Sequence, residues 1–465
     1  MYDHLQAYIG KDIYPFHMPG HKRNPMFMPQ GMGNLDITEI PGMDVLSRPT
    51  GIIQDLQEAI AGFYGADESY LLVNGSSAGI VAAICATCNE GTSFYAPRNG
   101  HVSMYNGIAI SGASPIYIMP EITPDGLAGG IKPELLDNMK EGAAVLLVSP
   151  TYEGFVSDIK EIAARVHSRG GILIVDEAHG AHLRFSDAFP VSALELGADI
   201  VIQSFHKTLP ALGQAAVLHV KGKRVDASRL RFYLQAMQTT SPSYMLMGQL
   251  DYILSMLWKR PEIFETYVNR LNGIRRALTT NDVQAISLTG QERVGSHGIY
   301  ATDPGKLLFR INIYESPGAI SEMLSDQYRV QMEMAFGHHL LAMTSVADTD
   351  EGFQRLWGAI GSLNIKLEHM LDATAEGQKS SDAIFAPGNK KCNPYDVIRF
   401  CIPEAVMPIK NAVRQETEIV EWENAHGRIA GEVVGLYPPG IALVAPGERI
   451  PQGLPQLAQK VRAIK

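Results

Sequence analysis

Cysteine is scarce in this chain. Four cysteines among 465 residues are too few for a disulfide scaffold, which excludes a small stapled architecture and agrees with a reducing compartment. Long hydrophobic runs are missing too: no stretch reaches the about 18 uninterrupted apolar residues of a membrane span. The start, MYDHLQAYIGKD, lacks the basic-then-apolar order of a secretory signal, so the expected place is cytoplasmic. Positive charge is in deficit, with 39 Lys plus Arg against 49 Asp plus Glu and a formal net charge of -10. Without a long basic block, a nucleic acid or an anionic membrane is a poor partner, and a small molecule is the better one. No internal repeat is found. What is present is ordinary: 46% hydrophobic and 19% charged residues fit a globular chain with two or three domains and a sizeable core.

Metal signals are thin. Cys85 and Cys88 form a CxxC, but they sit inside the apolar run GIVAAICATC, where cysteine behaves as a small core residue. Cys392 and Cys401 lack CxxC spacing. Histidines cluster as His17 with His21, His179 with His182, and His338 with His339; only the first pair has helical metal spacing, and Pro19 and Gly20 between them oppose a helix. No metal is expected.

The middle of the chain alternates short apolar runs with helical patterns. SYLLV, TSFYA, SPIYI, AAVLLVS, GILIVDEA, ADIVIQSF and AAVLHV follow in turn, several of them continuous enough to be buried on both faces. This predicts an α/β fold, a parallel or mixed sheet with helices on either side. From about Arg224 to Thr280 the pattern turns helical, broken by TTSPSY. KLLFRINIY, YRVQMEMAF and HHLLAMTSV then suggest a smaller α+β unit. ATAEGQKSSDAIFAPGNKKCNP reads as a linker. The expected organisation is an arm over 1–40, a large domain over 41–280, a small α+β domain over 281–372, a linker over 373–394 and a C-terminal domain over 395–465.

In open α/β sheets ligands bind beyond the carboxyl ends of the strands, and four such ends carry unusual chemistry. After SYLLV, Asn74-Gly75-Ser76-Ser77 opens a helix and offers hydroxyls and backbone N–H groups to an anion, although serine caps helices commonly. His101 follows TSFYAPRNG at a turn, where a packing role is the ordinary one. GILIV ends in Asp176-Glu177-Ala178-His179, a carboxylate that asks for a cationic partner. ADIVIQ ends in Ser204-Phe205-His206-Lys207. One ligand uses all four: a phosphorylated pyridine aldehyde, pyridoxal 5'-phosphate, needs an anion site, a group to stack on the ring, a carboxylate for the ring nitrogen and a lysine for the aldehyde. Ser76, Ser77 and Ser204 suit the phosphate, His101 the stacking, Asp176 the pyridinium and Lys207 the aldehyde. The cationic field of His206 and the pyridinium is expected to depress the Lys207 pKa.

At these residues the chain resembles fold-type I pyridoxal-phosphate enzymes, and more narrowly the Orn/Lys/Arg decarboxylase family in its shorter form. The resemblance runs over almost the whole length, through FHMPGHK, TGIIQDLQEAIAGFYGAD, LLVNGSSAG, RNGHVS, VSPTYEGFVSDI, VDEAHGAH, QSFHKTLPALGQ, QTTSPSYMLM and YPPGIALVAPGE. It implies an aspartate aminotransferase-like large domain with a mixed, mostly parallel seven-stranded sheet, plus a small α+β domain and a C-terminal domain. It also implies a homodimer or higher homo-oligomer with the active site between subunits. Carried over by position, Lys207 is the Schiff-base lysine, Asp176 the pyridinium partner and His101 the stacking group; Ser76, Ser77, Ser204 and His206 contact phosphate. Ala178 lies under the other ring face and His179 reaches the phenolic oxygen. Three positions depart from the family pattern, Val102, Glu153 and Phe205, as does the stretch MDVLSRPTG; they are expected near the substrate.

The implied activity is decarboxylation of lysine, arginine or ornithine to a di- or polyamine precursor and CO₂, with Asp176 preserving the electron sink and Lys207 or a nearby imidazole returning a proton to Cα. A basic side chain needs a carboxylate, for which Glu153 is the first choice and Asp36, Glu39 and Asp44 the others, although acidic residues are mostly solvated surface groups. The short form leans toward polyamine biosynthesis rather than acid resistance. The rival on the same scaffold is an aminotransferase, aldolase or acyl-transferring synthase; DEAHG occurs in such synthases, and Arg310 in KLLFRIN reads equally as a carboxylate clamp or a charge at a strand edge. A cofactor-bound regulatory protein without turnover is disfavoured because Lys207 and Asp176 are both present.

Overall fold

The computed structural model describes residues 13–16, 20, 22, 24–27, 39, 43–279, 285–313, 316–375, 402–436, 441–454 and 458–465. His17, His21, Asp36, Cys392, Cys401 and most of the expected linker lie outside the described residues.

All seven apolar runs of the first half form strands of one sheet: β1 (Glu68–Leu72), β2 (Ser93–Pro97), β3 (Ser114–Ile118), β4 (Ala144–Val148), β5 (Ile172–Asp176), β6 (Ile200–Ser204) and β7 (Ala216–Val220). Their order is β1-β7-β6-β5-β4-β2-β3, and only β7 runs against the rest, paired antiparallel to both β1 and β6. The apolar runs lack alternation because both faces are covered, and successive side chains feed different cores. Val145, Leu147, Leu173, Val175 and Val201 face one core, whereas Ala144, Leu146, Ile174, Ile200 and Ile202 face the other. Each such burial contributes about 1.5–3 kcal/mol for a Val, Leu or Ile side chain.

Helix α1 (Ile52–Tyr64) precedes β1, α2 (Gly75–Thr87) follows it, and α3 (Val102–Ser111) follows β2. The sequence of α2, GSSAGIVAAICAT, is apolar nearly all round, and the helix is buried accordingly. It lies close on the sheet at Gly79, where an added Cβ would meet Leu72 Cδ1 at 2.6 Å and Ile202 Cγ2 at 3.2 Å. That close approach places its first turn beside the strand ends. Cys85 and Cys88 are free, buried core residues, and burial pushes both thiols up to about 11.

The 224–280 stretch forms three helices, Ala227–Met237, Tyr244–Lys259 and Glu262–Thr279, interrupted near TTSPSY as the pattern predicts. A second, antiparallel sheet follows: β8 (Ile286–Thr289), β9 (Lys306–Ile311), β10 (Met334–Phe336) and β11 (His339–Met343), ordered β8-β9-β11-β10. Arg310 is therefore on an interior strand, between Ser287 and His339, and not at a strand edge. YRVQMEMAF divides: Val330–Met332 pairs in parallel with Tyr14–Phe16 of the arm, while Met334–Phe336 joins the second sheet. Thr417–Glu421 and Lys460–Ile464 form an antiparallel pair near the carboxyl terminus. Arg98, just past β2, ties that part to the large sheet, donating to Glu448 Oε1 at 2.9 Å and Oε2 at 2.6 Å. Among the described residues no helix is long and apolar enough to cross a membrane.

Candidate active site

Beyond the carboxyl ends of β1, β5 and β6 lies a cavity of about 410 Å³. One corner is built from the first turn of α2. Gly75 takes a φ of +72°, which turns the chain from β1 into the helix and presents Ser76 and Ser77 to the cavity. Ser204, ending β6, donates from Oγ to Ser76 Oγ at 2.8 Å. His206 lines the same corner, its Nδ1–H donating to the Ala215 carbonyl at 3.0 Å. Burial lowers its pKa, outweighing that carbonyl, so the ring is neutral with Nε2 left as acceptor. Hydroxyls beside the positive end of a 13-residue helix are suited to a phosphate dianion.

The opposite wall carries Asp176, Ala178 and His179 from the end of β5, with His101 at the start of α3. Strand alternation separates Asp176 from Glu177: the first lines the cavity, the second turns into the core and accepts from Ser192 Oγ, Ala193 N and Gln203 Nε2. Asp176 Oδ1 accepts from the Ala178 N–H at 3.1 Å. Burial pushes its pKa up, while the charges of Lys207 and His101 pull it back. His101 caps α3, its Nδ1 accepting from Ser103 N–H at 3.2 Å and standing 2.8 Å from Ser103 Oγ. Burial lowers the pKa of this imidazole as well, against the charge of Asp176; in its neutral form the ring carries its proton on Nε2.

Lys207 emerges from the short helix Phe205–Thr208 into the cavity. Its pKa is lowered, and burial, rather than the field of His206, is the chief cause, against the opposing pull of Asp176 and Glu333. Lys207 Nζ stands 3.2 Å from His179 Nε2. On the other side of that ring, Lys306 Nζ stands 2.8 Å from His179 Nδ1. Burial drives the His179 pKa well down, with both lysines adding to the shift.

The substrate candidates separate. Glu153 lines the cavity and is buried. Glu39 and Asp44 do not line it; the Asp44 carboxylate instead accepts from five backbone N–H groups, Val45, Thr50, Gly51, Ile53 and Gln54, at the head of α1. Of the three departures expected near substrate, Glu153 alone lines the cavity. Phe205 packs fully buried against Tyr64 in the core, and Val102 is exposed outside the cavity. Arg310 is also absent from the lining. Sequence reasoning missed Glu333, which lines the cavity and accepts from Tyr152 Oη at 2.5 Å, and Lys306. Their one sequence signal is a charge within an apolar strand pattern, and it was Arg310 in the same run that drew notice. His182 Nε2–H donates to Asp303 Oδ1 at 3.2 Å, and His339 Nε2–H donates to Asp125 Oδ2 at 2.8 Å, so each has a carboxylate partner.

Comparison with known proteins accords with this arrangement. The profile described as Orn/Lys/Arg decarboxylase, major domain, matches residues 1–318, and that of the C-terminal domain matches 402–462. The arginine decarboxylase of Bacillus anthracis is 30% identical over 451 residues, covering 94% of this chain and 87% of that protein. The lysine decarboxylase of Pseudomonas aeruginosa is 24% identical over 96% of this chain and 73% of its own length. Among solved structures, the constitutive lysine decarboxylase of Escherichia coli superposes with a TM-score of 0.74 at 18% identity, over 97% of this chain and 79% of that one. The serine palmitoyltransferase of Sphingomonas wittichii gives 0.56 at 15% identity, over 75% of this chain and 86% of that one. The large sheet is thus that of the fold-type I enzymes. With the major-domain profile spanning well over half of its residues, this chain belongs to the Orn/Lys/Arg decarboxylase family.

Proposed function

We propose that this protein is a pyridoxal 5'-phosphate-dependent decarboxylase of a basic amino acid. One observation carries the reading: Lys207, its pKa lowered by burial, shares one cavity with the Ser76–Ser204 corner and with the buried carboxylate of Asp176. The residues fit the cofactor. Asp176 is 5% exposed and bears the cost of burial, and a protonated pyridine nitrogen would offset that cost. Ser76, Ser77, Ser204 and His206 would hold the phosphate, His101 would lie against one ring face, and the small Ala178 leaves room at the other. His179, beside Lys207, is placed for the phenolic oxygen.

When bound, the cofactor supplies an electron sink for the pair left on Cα as CO₂ departs. The chain's own residues do the rest. Asp176 keeps the ring nitrogen protonated, an electrostatic contribution in place before chemistry starts. Lys207, as a neutral amine, would be the point of covalent attachment; once displaced and protonated by the incoming substrate ammonium, it or a nearby imidazole would return a proton to Cα. Glu153 and Glu333 offer the cavity's carboxylates to a cationic side chain. Arginine is the first substrate to test, because relatives 30–31% identical over nearly the whole chain carry the name arginine decarboxylase, against 21–24% for those named after lysine or ornithine. The product would be a di- or polyamine precursor, and the working unit a homodimer or higher homo-oligomer with its sites at the interface, in keeping with the family.

The test is mass spectrometry of purified protein with added pyridoxal 5'-phosphate and arginine, lysine or ornithine. The expected result is the amine of one substrate with stoichiometric CO₂, absent in Lys207→Ala. Bound cofactor with no amine from any of the three would overturn the proposal in favour of an aminotransferase or an acyl-transferring synthase.

A further inference from the structure

Lys306 has no place in the chemistry above, yet it is buried, 4% exposed, one imidazole away from Lys207. It opens β9 of the second sheet, whereas His179 and Lys207 follow strands of the first. The turn before it is stitched to the loop carrying Glu153: Asp303 N donates to the Gly154 carbonyl at 2.8 Å, and Thr302 and Ala301 pair with Phe155 and Val156. Gly154 lies against the lysine stem so closely that an added Cβ would meet Lys306 Cγ at 2.6 Å. Lys306 Nζ is thereby held against His179 Nδ1 at 2.8 Å.

A neutral imidazole has one N–H and one lone pair. With a lysine on each ring nitrogen, one amine faces the lone pair and can be an ammonium, while the other faces the N–H and must accept, as a free amine. The two lysines therefore carry at most one positive charge between them while both contacts stand. The surroundings decide which. Asp303, beside Lys306, stays ionised despite burial, through the charge of His182 and its hydrogen bonds from His182 and Gly305 N. Burial lowers the Lys306 pKa to about 7, with Asp303 and then Glu333 holding it up against Lys207 and Lys22. Lys207 faces Asp176, whose own pKa is raised by burial, together with Glu333, His101 and His206.

We infer that Lys306 is a positioning residue: as an ammonium it donates to His179 Nδ1, directs the Nε2–H of that ring at Lys207, and so keeps the Lys207 amine neutral. The inference deepens the proposed function and rests on Lys207 being its nucleophile. Free-amine character at Lys207 then depends on the second sheet being docked, since that sheet delivers the charge.

Competitive trace acetylation reads it without cofactor or turnover. The full chain, freed of cofactor, is labelled with acetic anhydride across a pH series, and acetyl incorporation at Lys207 is quantified by peptide mass spectrometry. Wild type is expected to give a midpoint well below that of ordinary lysine. Lys306→Met and Lys306→Gln, with circular dichroism unchanged, should raise it by about one pH unit or more, the scale of a neighbouring-charge effect. Lys306→Arg should stay near wild type. A merely structural Lys306 would lower the melting temperature and leave the midpoint in place, which overturns the inference. So does a wild-type midpoint at the ordinary lysine value, a result that needs no variant to fold. Loss of decarboxylation in the cofactor-loaded wild type, by contrast, counts against the proposed function and leaves the Lys306 shift to be judged separately.

Discussion

A carboxylate at the end of a buried strand is costly unless a cation meets it, and Asp176 is in that position. Replacing it by asparagine keeps the shape and removes the charge. Asp176→Asn is expected to lower the decarboxylation rate by about 10²-fold or more, the usual size of losing a preorganised electrostatic partner, as measured by CO₂ release at saturating cofactor. Ser76→Ala deletes the hydroxyl that receives the Ser204 hydrogen bond; cofactor affinity should fall by about tenfold, equivalent to roughly 1.4 kcal/mol, in an equilibrium titration. At this scale the sequence was most legible where chemistry sits at the end of a recognisable strand. Ser76, Asp176, Ser204 and Lys207 all do, because a polar residue ending an apolar run stands out. Lys306 arrives on a different sheet and Glu333 beside it, about a hundred residues or more after Lys207, and adjacency of that kind leaves no trace in spacing.

Among the elements, α1 gives one candidate residue a structural task. Asp44 appeared as a substrate carboxylate, but five backbone N–H groups converge on it before the first turn of the helix. Burial raises its pKa, the backbone donors lower it, and the donors prevail. Asp44→Ala should cost about 1–2 kcal/mol, as a lost helix cap does, read as a shift in the denaturation midpoint with an unchanged slope. The seven strands were legible from their uninterrupted apolar character, whereas the reversed direction of β7 was not. A strand buried on both faces reads the same either way; AVLHV carries no sign that it runs against its neighbours.

For the molecule as a whole, Arg98 and Glu448 join regions 350 positions apart in sequence, and both are almost fully buried. Removing one partner strands the other, so Glu448→Ala should destabilise the protein by about 3–5 kcal/mol, with the carboxyl-terminal part becoming the first site of limited proteolysis. Acid sensitivity has a named source in His219, which is fully buried between Ser69 Oγ and Gln203 Oε1 and pushed down to about 3. Its folded value lies below the unfolded one, about 6.5. The stability it contributes is therefore complete above that pH and drains away as pH falls toward about 3. The melting-temperature gap between wild type and His219→Gln should narrow steadily over this window.

The placement of β1 has a consequence for biosynthesis. It is the first strand of the large sheet to leave the ribosome, yet its hydrogen-bonded neighbour, β7, is the last. Until Ala216–Val220 has emerged, β1 has no seat in the sheet, and the Ser76 hydroxyl cannot meet that of Ser204. Pairing across such a separation is slow to form. A nascent chain halted anywhere before β7 thus lacks the Ser76–Ser204 corner altogether, and a ligand of that corner can act on this protein only after nearly half of it has been translated.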